Sequence, residues 1–264
     1  MDSERMTFPL RPFLMMAMVT MSAALAGCAT QDSVSRASGE VFDPYENSNR
    51  SVHNFNRNVD RYAFRPAAKS YVAVVPKDMV RAFNNFAENI SMPGQAVNAL
   101  LQGNLKEAGI AMSRFAVNTV FGIGGLGDPA SDFNMPRVDT DFGETLHVWG
   151  VGEGAYVELP FFGPSTARDG AGILVDFFTN PISYARHNPA DNIGIYAEVV
   201  RRLGDRGTYS DTIDSILYES ADSYAQARLI YLQNRRFELG QDQSELEGVY
   251  GDPYSDPYED IYAE

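Results

Sequence analysis

The stretch Pro76 to Gly127 constrains the fold more than any other part of the chain. Met79, Val80, Phe83, Phe86, Ala87 and Ile90 fall on one narrow stripe at helical spacing, and Asp78, Arg81, Asn84, Asn85 and Glu88 fall on the other side. Pro76 suits a helix start, and Pro93 marks its end. In a second helix, Val97, Leu100, Leu101, Leu105, Ala108, Met112 and Phe115 recur along one face, with a weak point at Gly103. Neither helix is uniformly apolar over the ~20 residues that spanning a bilayer requires. Each can pack on a core or lie flat in a membrane interface.

The N-terminus bears on that choice. Residues 1–27 read as a secretory leader: Arg5 and Arg11 give the positive region, and Phe13 to Leu25 the apolar one. Either Met1 or Met6 can start it. The leader ends in Leu25-Ala26-Gly27-Cys28, which resembles the lipobox of bacterial lipoproteins. The resemblance implies cleavage before Cys28 and lipid attachment to its sulfur and amine. Cys28 is the only cysteine, so no disulfide is expected, and stability has to come from packing. At ~0.8 kcal/mol per buried methylene, more than one acyl chain gives lasting attachment where one does not. Ala29 stands where an aspartate would suggest inner-membrane retention, so by analogy with lipoprotein sorting the resemblance implies the outer membrane, on its periplasmic side, as the expected location.

The charge of -14 argues against nucleic acid as a partner. Gln241 to Glu264 carries eight acidic residues and no basic ones, more than half of that net charge. Residues 240–264 therefore read as an acidic, disordered tail, either merely solvated or a bait for a basic partner. Residues 28–42 read as a lipidated tether, and 43–239 as one mainly α domain with few short strands.

Within that domain, Asn47 to Tyr62 is expected to be helical, with Arg65-Pro66 breaking it. Lys69 to Val75 is short and either extended or helical. Gly122 to Gly127 is a turn, Asp141 to Trp149 a short helix, and Gly150 to Phe162 extended. Arg168 to Phe178, Pro189 to Leu203 and Asp211 to Leu239 complete the helical set.

Familiar chemistry is missing. Gly122-Ile123-Gly124-Gly125-Leu126-Gly127 spells a dinucleotide fingerprint, but a helical pattern precedes it and Asp128-Pro129 follows, where the fingerprint needs a strand before and a helix after. There is no Gly-x-Ser-x-Gly, His-Glu-x-x-His or phosphate loop. His53, His147 and His187 are far apart in sequence, and no cluster has metal-ligand spacing. No cofactor, metal or catalytic residue is expected. Trp149 fits a core or interface aromatic.

Several of these stretches resemble one family. Asp43-Pro44-Tyr45-Glu46-Asn47-Ser48-Asn49-Arg50 with Asn54-Phe55-Asn56, then Arg65-Pro66-Ala67-Ala68-Lys69-Ser70-Tyr71, is similar to the opening of MlaA (VacJ) lipoproteins. Asn85-Phe86, Leu101-Gln102-Gly103 and Arg114-Phe115 resemble its middle. Gly122-Ile123-Gly124-Gly125, Asp141-Phe142-Gly143-Glu144, Trp149-Gly150-Val151-Gly152 and Leu159-Pro160-Phe161-Phe162-Gly163-Pro164-Ser165 resemble its later part. One departure is Ala155, where the family usually has proline.

The resemblance implies a ring of amphipathic helices seated in the outer membrane around a central channel. It implies removal of misplaced phospholipid from the outer leaflet, transfer to the periplasmic carrier MlaC, and work beside trimeric porins of the OmpC/OmpF type. Physically, a headgroup needs a polar route because charge in hydrocarbon is costly, while acyl chains can stay in lipid. Met79, Val80, Phe83, Phe86 and Ile90 are then the expected membrane-facing set. By the same resemblance, Asn54, Phe55 and Asn56 are candidates to control access, and Gly122, Gly124 and Gly125 to allow movement near the pore. Arg114, with Arg65 and Lys69, is a candidate to meet phosphates or, equally, to pair with acidic residues. A lipid-anchored scaffold that docks on porins without moving lipid, and a lipid hydrolase, are the competing classes.

Overall fold

The computed structural model describes residues 41–179 and 193–240, the side chains of 178 and 179 excepted. Cys28, His187, the leader, most of the tether and residues 241–264 lie outside the described residues. The fold is mainly α. Helix α1 (Glu46–Val59) runs through a π turn at Asp60–Phe64 directly into α2 (Arg65–Val74). Helices α3 (Lys77–Leu101) and α4 (Leu105–Phe121) form an extensively packed pair. A single turn, α5 (Pro129–Asp132), and the short α6 (Phe142–Val148) lead to an antiparallel hairpin, β1 (Tyr156–Leu159) and β2 (Gly163–Thr166). The hairpin register pairs Tyr156 with Thr166 and Leu159 with Gly163. Helix α7 (Ala167–Thr179) packs on α6, and α8 (Ile193–Thr208) lies across α2 and α3. Helix α9 (Ser210–Asp214) passes through a second π turn, Ser215–Glu219, before α10 (Ser223–Glu238) backs onto β2.

Two expected breaks move. Pro93 does not end its helix: it lies buried inside α3, which continues to Leu101. The stop comes at Gly103, whose φ of +77° suits glycine. There the Asn104 amide donates to the Ala99 carbonyl and the Gly103 amide to Leu100, the paired bonds of a Schellman ending. Asn104 then accepts from the Glu107 amide and starts α4. Arg65-Pro66 does not break the first helix either. The π turn widens the bonding pattern, the Arg65 amide reaching back to the Asp60 carbonyl, so Pro66 enters where the ladder is already open. The last helix is interrupted instead at Ser220–Asp222, where Asp222 caps α10 by accepting from the Ala225 amide.

No single large apolar core forms among the described residues. One buried cluster joins Ala87 and Ile90 of α3 to Ala197 of α8, with Phe86 against it. Another joins Tyr156, Tyr224 and Leu232, with Val41 and Tyr231 against it. The largest fully buried side chains include Arg114, Asn89 and Thr145, while Leu105, Val120, Phe121, Ile123 and Phe133 are mostly exposed. Many large apolar side chains thus stand exposed while several of the largest buried ones are polar, an unusual balance for a water-soluble helical protein.

Candidate functional site

The glycine turn after α4 is fixed from beneath by a polar lock. The Asn118 carbonyl accepts from the amides of Gly122 and Gly125, both at 3.0 Å. Its side-chain oxygen accepts from the Ala130 amide at 3.0 Å, and its Nδ2 donates to Asp128 at 2.9 Å. Arg114, 1% exposed, donates to Asp128 Oδ1 at 2.8 Å and to the Met135 carbonyl at 2.6 Å. Burial alone would push the Asp128 carboxyl up, but bonds from Ser131 and Asn118 and the Arg114 charge hold it below its ordinary value. Gly125 sits at φ +97°, and a Cβ there would lie 2.5 Å from Asn89 Nδ2. Asn89 is itself held by Thr119 Oγ1 at 3.0 Å. Position 125 therefore needs glycine twice, for conformation and for space.

Above this lock the chain presents an apolar tip. Val120 and Phe121 are each 71% exposed, and Ile123, at a left-handed φ of +55°, is 81% exposed; Phe133 and Leu126 add to the surface. A bulky β-branched residue in that conformation is strained, and here it aims its side chain outward. Exposed apolar clusters of this kind mark contact with a membrane or another protein. The sequence pointed to Gly122, Gly124 and Gly125 as a mobile element. In this conformation hydrogen bonds hold the turn at Asn118, and Ile123 between the glycines is the residue the pattern missed.

The α3 stripe is not free for lipid as expected. Val80 and Ile90 are 7% and 8% exposed, and Phe83 and Phe86 are half-buried. Helix α8 covers this face, with Ala197 against Ala87 and Ile90. Met79, at the end of the stripe, is 51% exposed and is the one member that stays open. Arg114 is likewise committed inside the protein, to Asp128 and Met135, and is not available to a headgroup.

Asn54, Phe55 and Asn56 split by role. Asn56 donates to the Leu159 carbonyl at 2.9 Å and accepts from the Phe161 amide at 2.8 Å, so it holds the hairpin tip. Phe55 is exposed and meets Phe161 edge to face at 5.3 Å. Asn54 is exposed and borders a polar cleft of about 320 Å³ lined also by Arg50, His53, Arg57 and Ser223.

The two π turns meet around Arg206. Its guanidinium donates to Asp60 at 2.8 Å and to Asp214 at 2.6 Å, and Tyr218 donates to Asp60 at 2.6 Å. Asp214 also accepts from Arg65 at 2.6 Å and Lys69 at 3.2 Å. Chiefly through the Arg65 bond, its carboxyl lies well below the ordinary carboxylate range. Burial, then the bond to Asp60, pushes the Tyr218 hydroxyl up to about 12.

Two of the histidines are engaged in separate networks. His147 faces Arg168 at 3.3 Å. His53 lies between Glu158 at 3.2 Å and Ser223 Oγ at 3.0 Å. Those distances resemble a hydrolase relay, but the amides that could form an oxyanion pocket beside Ser223, those of Tyr224 and Ala225, already donate to Asp222. The set instead ties α1 to the hairpin and α10. Among the described residues no helix is long and apolar enough to cross a membrane, and no group of three His, Cys, Asp or Glu side chains has metal-site geometry.

A family model for the MlaA lipoprotein matches residues 41–238. The chain is 34% identical over 217 residues to the intermembrane phospholipid transport system lipoprotein MlaA of Escherichia coli K12, covering 81% of this chain and 83% of that one. It is 38% identical over 220 residues to the MlaA of Haemophilus influenzae, covering 82% and 86%. A solved structure from work on the structural basis for maintenance of bacterial outer membrane lipid asymmetry superposes with a TM-score of 0.64 at 33% identity, covering 75% of this chain and 98% of that one. Matched over most of its described length in sequence and in fold, the chain belongs to the MlaA lipoprotein family.

Proposed function

We propose that this protein is an outer-membrane lipoprotein, anchored through Cys28, that takes misplaced phospholipid from the outer leaflet through a central channel and hands it to a periplasmic carrier of the MlaC type. It works beside a trimeric porin of the OmpC/OmpF type and carries out no catalysis itself. One observation carries the reading: many large apolar side chains are exposed, among them Val120, Phe121, Ile123 and Phe133 at a tip over the buried polar Arg114–Asp128 lock. With no membrane-crossing helix among the described residues, such a body sits sideways among acyl chains, and its polar side is left to pass a headgroup. The relatives named for phospholipid transport support the same direction. The test measures phospholipid exposed at the cell surface in a strain lacking this protein. Wild type should lower it to the parental level, and a Cys28→Ala form should not. Full rescue by a wild-type protein that copurifies with no lipid favours a porin-docking scaffold instead.

A further inference from the structure

Arg57, Arg61, Arg65 and Lys69 recur every fourth residue along the continuous helix from α1 through the π turn to α2. In a pure α-helix a four-residue step drifts by roughly 40°. The π turn between Arg61 and Arg65 adds a residue per turn and swings the row back. The contacts agree that the row stays on one side. Arg61 and Arg65 lie over the same Tyr218 ring, at 4.7 and 5.7 Å, and Arg65 and Lys69 share Asp214.

These cations outnumber their partners. Among the described residues, Arg57, Arg61, Arg65, Lys69 and Arg206 have between them two carboxylates, Asp60 and Asp214. Among the described residues Arg57 forms no ion pair; it donates to Ser223 Oγ at 3.3 Å and borders the 320 Å³ cleft. Arg61 is exposed and forms none either. Asp211 and Glu219, the other acids on α9 and its π turn, are exposed and engage neither. Arg50, at the upper end of the cleft, is closed off by Asp222 and Glu46, and its bond holds the Asp222 carboxyl down to about 2. In a chain of net charge -14 the spare positive charge along one helix face is a local exception.

We infer that this row, entered at the Arg57 cleft, binds the phosphate of the transported lipid and biases the protein toward anionic phospholipid. The inference rests on the transport reading above. A phosphodiester without an ammonium group is attracted by every member of the row. Phosphatidylethanolamine brings a cation that the same row repels. Guanidinium groups suit phosphate because they donate two parallel bonds.

The test incubates purified full-length protein with vesicles of phosphatidylglycerol and phosphatidylethanolamine in equal amounts, and the extracted lipid is identified by mass spectrometry. Wild type should enrich phosphatidylglycerol by about fivefold, the scale of one solvent-exposed charge pair. Arg57→Gln with Arg61→Gln should return the ratio to that of the vesicles, the phosphatidylglycerol recovered per protein falling with it. Neither residue holds an ion pair among the described residues, so the fold should survive, and Arg57→Lys with Arg61→Lys should restore part of the enrichment, through charge without the paired bonds. Lipid in the vesicle ratio with wild type, or undiminished enrichment in the glutamine variant, overturns the row alone. No lipid of either kind with wild type overturns the transport reading and the row with it.

Discussion

Asn49 and Asn56, two helical turns apart on α1, each clamp the hairpin by the same pair of bonds. Asn49 donates to the Tyr156 carbonyl and accepts from the Glu158 amide, both at 3.0 Å, and Asn56 does the same for Leu159 and Phe161. The spacings explain it. Seven residues of helix rise about 10.5 Å, and three residues of strand cover about 10 Å, so both carboxamides meet the strand in register. Replacing Asn49 with Ala leaves two buried backbone groups without partners and should cost about 2–3 kcal/mol in urea unfolding. Asn49→Asp should cost at least as much, because its oxygen replaces the donor facing the Tyr156 carbonyl and Asp43. Loss of less than about 0.5 kcal/mol in either variant would show that the clamp is incidental.

Gly125→Ala tests the lock beneath the apolar tip. The added Cβ would meet Asn89 at 2.5 Å in a backbone conformation that L residues rarely adopt. The expected loss is about 2 kcal/mol or more in thermal or urea unfolding. In an Asn89→Ala background the contacts with Nδ2 and Cγ disappear, while the Cβ of residue 89, 2.8 Å away, remains. Gly125→Ala should then cost less than in the wild type but more than the conformational cost alone, a coupling that a double-mutant cycle reads directly. Strict additivity would mean that Asn89 does not abut Gly125.

Sequence periodicity located most helices but not their partners. The glycine turn, α6, α7 and the Tyr156 to Leu159 strand lie where local pattern puts them. Pro93 misled because a proline says that one ladder bond is missing, whereas burial of α3 against α4 and α8 holds the helix together across it. The α3 stripe misled for a related reason. A period of 3.6 reports that a face is apolar, and only the tertiary fold decides whether another helix or lipid covers it. Ile123 was hidden between glycines, where no periodic signal exists. Arg114 was visible as a cation, but its partner Asp128 stands beyond the turn, and only folding brings the two to 2.8 Å.

The Asp214 carboxyl sets an acid limit for the junction of the two π turns. Its folded-state pKa is depressed, first by the bond from Arg65, so the stabilisation is complete above the ordinary carboxylate value of about 4 and is lost as pH falls through the lower folded-state value. Asp214→Asn should therefore lose about 1–2 kcal/mol at neutral pH, with that gap unchanged down to about pH 5. Below about pH 4 the wild type should lose stability faster than the variant and the gap should close. Urea unfolding at a series of pH values reads both, and a gap independent of pH would exclude Asp214 as the titrating partner.

The exposed tip separates membrane seating from folding. Ile123 is 81% exposed, so Ile123→Asp removes almost no folded-state contact and should leave the melting temperature within about 2 °C of wild type. In a bilayer interface the same change exchanges a buried aliphatic group for a charge and should weaken binding by about 2 kcal/mol, roughly thirtyfold. The comparison belongs in a Cys28→Ala background, where the acyl anchor no longer masks the loss, with flotation on phospholipid vesicles as the measurement. Phe83→Asp is the matching control from α3. Its ring is half-buried, on the helix that α8 packs against, so this variant should lower the melting temperature. If Ile123→Asp floats as wild type does while Phe83→Asp folds normally and fails to float, the membrane surface is the α3 stripe after all, and α8 must move aside to expose it.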